Sequence, residues 1–172
     1  MTDHKNHPDY PIEYITWKVT FFGREFSVTD DVLIPRLETE CLVRRARRSL
    51  EKERYDTVVD IGTGSGVIGV SIADLIDKVV FLDISSEALA VAEKNFLTYF
   101  PKEKWEYIIS DVLEGFSYSL ASSVLLLANL PYIKWWDWKN IKDKTKALSR
   151  NAFEFQKKYL SWNAIIHTIY HD

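Results

Sequence analysis

The chain is short of several things, and each shortage excludes a class of protein. Cysteine occurs once, at Cys41, which rules out an internal disulfide framework and a cysteine-based zinc site. His4, His7, His167 and His171 lie near the two ends, and only His167 and His171 have the i, i+4 spacing of a ligand pair. Two ligands without a third do not make a zinc centre, so no metal is expected. No apolar run approaches the roughly 20 residues of a membrane span. The opening MTDHKNHPDY lacks the apolar segment of a secretion signal. Basic charge is not in excess either: the net charge is -3, whereas a dedicated nucleic-acid-binding domain is usually basic. Ser65 and Ser110 have no histidine placed to complete a hydrolytic triad. A soluble chain with no membrane partner, in a reducing, cytoplasmic setting, is the expectation.

What is present has the composition of a folded domain. Hydrophobic residues make up 47% of 172, enough for one core and too few residues for two large ones. Four of the six tryptophans, Trp135, Trp136, Trp138 and Trp162, crowd the end of the chain. Residues 1–13 read as a flexible lead-in and 14–172 as a single domain. Within that domain, 14–30 reads as a β-hairpin turning near Gly23, 31–133 as the core and 134–172 as a helical tail. From about Leu37 to Arg54 the apolar positions Leu42, Val43, Ala46 and Leu50 share one helix face. Arg44, Arg45, Arg47 and Arg48 fall on the other, which reads as a solvated face or, more sharply, an electrostatic contact for RNA.

Strands and helices then alternate. Thr57 to Ile61, Lys78 to Ile84, Trp105 to Ser110 and Ser122 to Ala128 are strand-like. Gly66 to Ile76 and Ser85 to Phe100 are helical, with Ser85 as N-cap and Pro101 as a stop. This order predicts an α/β, Rossmann-like, doubly wound and mostly parallel sheet with strands ordered 3-2-1-4.

The chemistry gathers at the carboxyl ends of those strands. Asp60-Ile61-Gly62-Thr63-Gly64-Ser65-Gly66 follows the first strand and opens a helix, as a loop that brings its backbone against a ligand must. Asp83-Ile84 ends the second strand, where a carboxylate can accept ribose hydroxyls. Asp111-Val112 follows the third, beside the place of an adenine. Three such features at successive strand ends predict a nucleoside-binding crevice. The G-x-G-x-G spacing suits a ligand without a pyrophosphate, although Gly69 leaves a stretched dinucleotide pattern open.

The fourth strand ends in Asn129-Leu130-Pro131-Tyr132. Hydride transfer has no need of this tetrad; methyl transfer to a planar NH2 group does. Such a nitrogen is a poor nucleophile because its lone pair is delocalised. The methyl of S-adenosyl-L-methionine is already activated, so no acid is required. What helps is holding the NH2 in line with the leaving sulfur. The Asn129 side-chain oxygen and the Leu130 carbonyl are two acceptors whose hydrogen bonds strengthen as the nitrogen becomes positive. Pro131 fixes the turn, and Tyr132 packs on the planar group.

Val32-Leu33-Ile34-Pro35-Arg36-Leu37-Glu38-Thr39-Glu40, the glycine loop and Asn129 to Tyr132 together resemble the release factor glutamine methyltransferases of the HemK/PrmC type, within the class I methyltransferases. The resemblance covers roughly residues 14–134. It implies S-adenosyl-L-methionine bound by Asp60, Gly62, Thr63, Gly64, Ser65, Gly66, Asp83, Ile84, Asp111, Val112 and Asn129. It further implies that Asn129, Leu130, Pro131 and Tyr132 hold the amide of the glutamine in the Gly-Gly-Gln loop of a peptide chain release factor. Two other readings stay open: an RNA or DNA adenine N6 methyltransferase, whose substrate nitrogen is also a planar NH2, and a cofactor-binding remnant with little catalysis.

The chain departs from that family at Leu130, where the family usually has proline, and in two longer stretches. The family's helical N-terminal domain is expected to be missing, as are the C-terminal strands, because only 43 residues follow Asn129 and a strand–helix unit takes roughly 30. Ala147 to Ile169 reads as one helix. The fourth strand is then an unpaired edge, to be covered by that tail, by Trp135 to Trp138 or by a second copy of the chain in a homodimer.

Overall fold

A computed structural model describes residues 10–102, 105–114, 116, 123–132, 164–166 and 169–170. The chain enters through a single helical turn, α1 (Ile12–Thr16), which Trp17 closes in the left-handed region at φ 59°. The hairpin therefore starts at Lys18 rather than Tyr14. A short run of aromatic and β-branched residues carries too little periodicity to separate a helical turn from a strand. Strands β1 (Lys18–Phe21) and β2 (Arg24–Ser27) pair antiparallel. Phe22 and Gly23, at φ 48° and 73°, form the two-residue turn whose twist matches that of the strands.

Helix α2 (Thr39–Lys52) leads into the main sheet. The sheet's first three strands are β3 (Thr57–Ile61), β4 (Val79–Asp83) and β5 (Glu106–Ile109). β6 (Val124–Ala128) follows on the other side of β3. Helix α3 (Val67–Ile72) and a 3-10 turn connect β3 to β4, and α4 (Ser86–Tyr99) connects β4 to β5. The expected cap is in place: Ser85 Oγ accepts the Ala88 N–H at 3.1 Å. The core strands pair in parallel in the predicted 3-2-1-4 order, β5-β4-β3-β6.

Alternation along β3 divides the core, as the period-two geometry of a strand requires. Val58 joins Phe81, Phe96, Leu125 and Leu127 in a cluster that also takes in the buried apolar side chains of α2 and α3. Val59 and Ile61 join Val80, Leu82 and Leu126 on the opposite face, where Leu113 and Leu130 pack.

The tail corrects two expectations. β8 (Ala164–Ile166) pairs in parallel with β6, aligning Leu126 with Ala164 and Ala128 with Ile166. β9 (Ile169–Tyr170) pairs with β7 (Pro131–Tyr132). These residues are therefore strand, not the last part of a helix over 147–169. The fourth strand is not an edge, and the reason given for a homodimer there falls away. A short apolar run such as Ala-Ile-Ile fits either period, and an open row of β6 backbone groups decides in favour of strand. The tryptophans at 135–138 and the rest of the predicted tail helix lie outside the described residues.

Candidate active site

The glycine loop is built from backbone geometry outward. Gly62, Gly64 and Gly66 all have positive φ, at 65°, 53° and 78°. A Cβ on Gly62 would lie 2.6 Å from Leu130 Cδ2, and one on Gly66 would lie 3.0 Å from the Ala92 backbone. A Cβ on Gly64 would meet nothing within 4 Å. Gly62 and Gly66 are thus tight against protein, and Gly64 faces open space.

Asp60 supports this loop from beneath. It is completely buried, and its Oδ2 accepts both the Thr63 hydroxyl at 2.7 Å and the Gly69 N–H at 2.9 Å. Burial pushes its carboxyl up to about 6, against the pull of those two donors. Asp83 ties the loop to the end of β4. One carboxylate oxygen accepts the Gly64 N–H at 2.9 Å and the other the Ser85 N–H at 3.0 Å. Each oxygen has a second lone pair, so the fixed carboxylate can still receive hydroxyl groups.

These elements border a cavity of about 290 Å³ at the carboxyl edge of the sheet. Of the residues expected from sequence, Gly62, Gly64, Asp83, Ile84, Asp111, Val112, Asn129 and Leu130 line it. Asp60, Thr63, Ser65 and Gly66 do not; they are the buried or tightly packed frame of the loop. Pro131 and Tyr132 continue as β7 beyond the cavity. Val112 holds a positive φ of 54°, unusual for a β-branched residue.

Sequence reasoning missed one wall. Asp31, Val32 and Leu33 also line the cavity. Their signal was their place next to Ile34-Pro35-Arg36. The stretch from Arg36 to Glu40 reads from sequence either as packing the hairpin beside the site or as a surface helix start, and the contacts favour the first. Thr39 Oγ1 accepts the Asn129 side-chain N–H at 3.1 Å, and Glu40 accepts the Phe22 N–H of the hairpin turn at 3.0 Å. The segment thus joins the hairpin, the cavity wall and the tetrad. Carboxylates at Asp31, Asp83 and Asp111 give the cavity an acidic lining that favours a cationic ligand.

A parallel α/β sheet with a glycine loop, an acidic second-strand end and a cavity above both defines a nucleoside-binding domain. The chain belongs to the methyltransferase small domain family, which matches residues 39–134. It is similar to the release factor glutamine methyltransferase of Borreliella burgdorferi, with 36% identity over 171 residues, covering 91% of this chain and 59% of that protein. The release factor glutamine methyltransferase of Bacillus subtilis is 40% identical over 129 residues, or 72% of this chain and 44% of that one. The chain spans about half the length of the curated relatives it matches. Among solved structures, the ribosomal protein L11 methylase of Lactobacillus delbrueckii superposes with a TM-score of 0.52 at 18% identity, covering 78% of this chain and 60% of that one, and so shares the fold.

Among the described residues no helix is long and apolar enough to cross a membrane, and no cluster of metal-ligating side chains forms. Two of the four arginines on α2 are engaged within the chain. Arg44 pairs with Glu40 at 2.7 Å, and Arg47 grips Asp74 through two hydrogen bonds of 2.7 and 2.9 Å.

Proposed function

We propose that the chain binds S-adenosyl-L-methionine in this cavity and methylates a planar NH2 nitrogen, the glutamine side chain in the Gly-Gly-Gln loop of a peptide chain release factor. The observation that carries the reading is that the glycine-loop edge and the Asn129–Leu130 pair border one cavity. The residues present suit the cofactor. Gly64 leaves room against the backbone, and the acidic lining suits a ligand with a sulfonium and an ammonium group.

When bound, the cofactor supplies a methyl group activated by its positive sulfur, with a neutral thioether as leaving group. The chain does the holding. Asp83, fixed by two backbone amides, accepts ribose hydroxyls. Ile84, Asp111 and Val112 line the same cavity and would border the base. The Asn129 oxygen and the Leu130 carbonyl accept the two NH2 protons and keep the nitrogen's face toward the methyl. Both bonds strengthen as that nitrogen gains positive charge, so they stabilise the transition state more than the ground state. One of the two protons then leaves to water. Pro131 and Tyr132 follow directly in the chain and would pack on the flat amide, as the resemblance implies.

Incubation with a release factor and methyl-labelled cofactor tests the reading, with label expected on the glutamine of the Gly-Gly-Gln loop. Absence of label there, under conditions where titration shows cofactor binding, overturns the substrate. Label on adenine in RNA instead would favour the nucleic-acid reading. Binding without turnover on any amide or adenine would leave a cofactor-binding domain only.

A further inference from the structure

We infer that Thr39 is a positioning residue for methyl transfer: its hydroxyl anchors the Asn129 head group at the cavity edge, where the amide oxygen can receive the substrate NH2. The inference rests on the reading proposed above. An asparagine head group has an acceptor and a donor of nearly the same shape, and a half-turn about its last bond exchanges them. With its nitrogen toward the substrate, two donors would meet, and the bonds that should strengthen during the reaction would be repulsive. The tetrad alone therefore does not define a productive site; its head group must also be held in place.

Thr39 lies 90 residues earlier in the chain and provides that hold. Its Oγ1 accepts from Asn129 Nδ2 at 3.1 Å. Thr39 is 1% exposed, so its side of this contact is closed to water. With its nitrogen engaged there, Asn129 turns its oxygen away from Thr39, and among the described residues no donor takes that oxygen. Thr39 is itself fixed. It is the first residue of α2, its N–H donates to the Arg36 carbonyl at 3.0 Å, and the neighbouring Glu40 is bound to the hairpin turn. The Ile-Pro-Arg segment is thereby connected to the chemistry through one hydroxyl. Valine at this position keeps the shape and removes the acceptor; serine keeps the acceptor.

Two measurements on the full chain test this. The first needs no turnover. In isotope-labelled protein, Thr39→Val should shift one Asn129 side-chain amide proton upfield and speed its exchange, while Thr39→Ser leaves both near the wild-type values. Unchanged Asn129 amide signals in Thr39→Val overturn the inference. The second reads the reaction. Thr39→Val should lower kcat about tenfold, with KM for the release factor and cofactor affinity changed by less than about twofold, and Thr39→Ser should recover most of the rate. In an Asn129→Ala background, Thr39→Val should change the remaining rate by less than about twofold. A full additive loss in that background, or a parallel fall in cofactor affinity, shows a merely structural role and overturns the inference. Thr39→Ala serves in the same cycle if valine disturbs the helix start. If wild-type protein transfers no methyl to the glutamine, the substrate reading fails on its own, and the amide signals still decide the role of Thr39.

Discussion

Gly64 and Gly69 are indispensable for opposite reasons. Gly64 has a left-handed backbone and open space where a side chain would go; Gly69 has an ordinary backbone, but a Cβ there would sit 2.3 Å from the Phe81 ring and 3.1 Å from Asp60 Oδ2. Gly69→Ala should therefore cost roughly 1–3 kcal/mol of stability in urea titration through overpacking. Gly64→Ala should cost about 1–2 kcal/mol through backbone strain and, because its methyl enters the cavity, should also weaken cofactor binding in calorimetry. Asp60 sets a pH dependence at the same scale. Its folded-state carboxyl titrates at about 6 against an ordinary 3.8, so between those values the folded protein holds more protons than the unfolded chain. The contribution of this group is full below about pH 4 and falls by on the order of 3 kcal/mol as pH rises to about 7. Asp74 works in the opposite sense, since Arg47 lowers its carboxyl. The clean readout is thus the difference in urea stability between wild type and Asp60→Asn across that range, which should shrink steadily with rising pH.

At the scale of elements, α4 carries both the hairpin and the glycine loop. Asn95, 2% exposed, accepts the Ser27 N–H at 2.7 Å and donates to the Ser27 and Ser65 carbonyls at 2.8 Å each. Tyr99 adds a hydroxyl to the Glu25 carbonyl at 2.6 Å, and Arg24 reaches the Val70 carbonyl of α3 at 2.7 Å. Asn95→Ala leaves one buried and two part-buried backbone groups without their partner, so a loss of roughly 2–4 kcal/mol is expected in chemical denaturation. Cofactor affinity should fall with it, since Ser65 directly follows the glycine that faces the cavity. A substitution at exposed Lys94, one residue away, should do neither beyond about 0.5 kcal/mol.

At the scale of the molecule, the tail completes the sheet. β6 has a partner on each side, and Leu125, Leu126 and Leu127 are buried on alternating faces. Leu127→Ala should lower stability by about 2–5 kcal/mol, as a large-to-small change in a fully enclosed strand does. Hydrogen exchange should find the β6 amides among the slowest in the protein. Between β6 and β7, Asn129 and Leu130 stand outside both ladders while the parallel tracks β8 and β9 run alongside. That gap is where the chain leaves the sheet to border the cavity.

Local chemistry was open to the sequence because it depends on near neighbours. Positive-φ glycines at 62, 64 and 66, the Ser85 cap, the turn at Gly23 and the βα alternation each follow from a few adjacent residues, and with them the 3-2-1-4 order and the cavity edge. Choices between distant partners were not. Ala-Ile-Ile at 164–166 becomes strand only because β6 offers an open ladder. Asp60, Thr63 and Ser65 belong to the loop by sequence, but packing alone turns them inward as its frame and leaves the lining to others. Asn129 was legible as an acceptor from its tetrad. The hydroxyl that anchors its head group, that of Thr39, is brought from 90 residues away by the tertiary fold, because a hydrogen bond depends on where atoms meet and not on their separation along the chain.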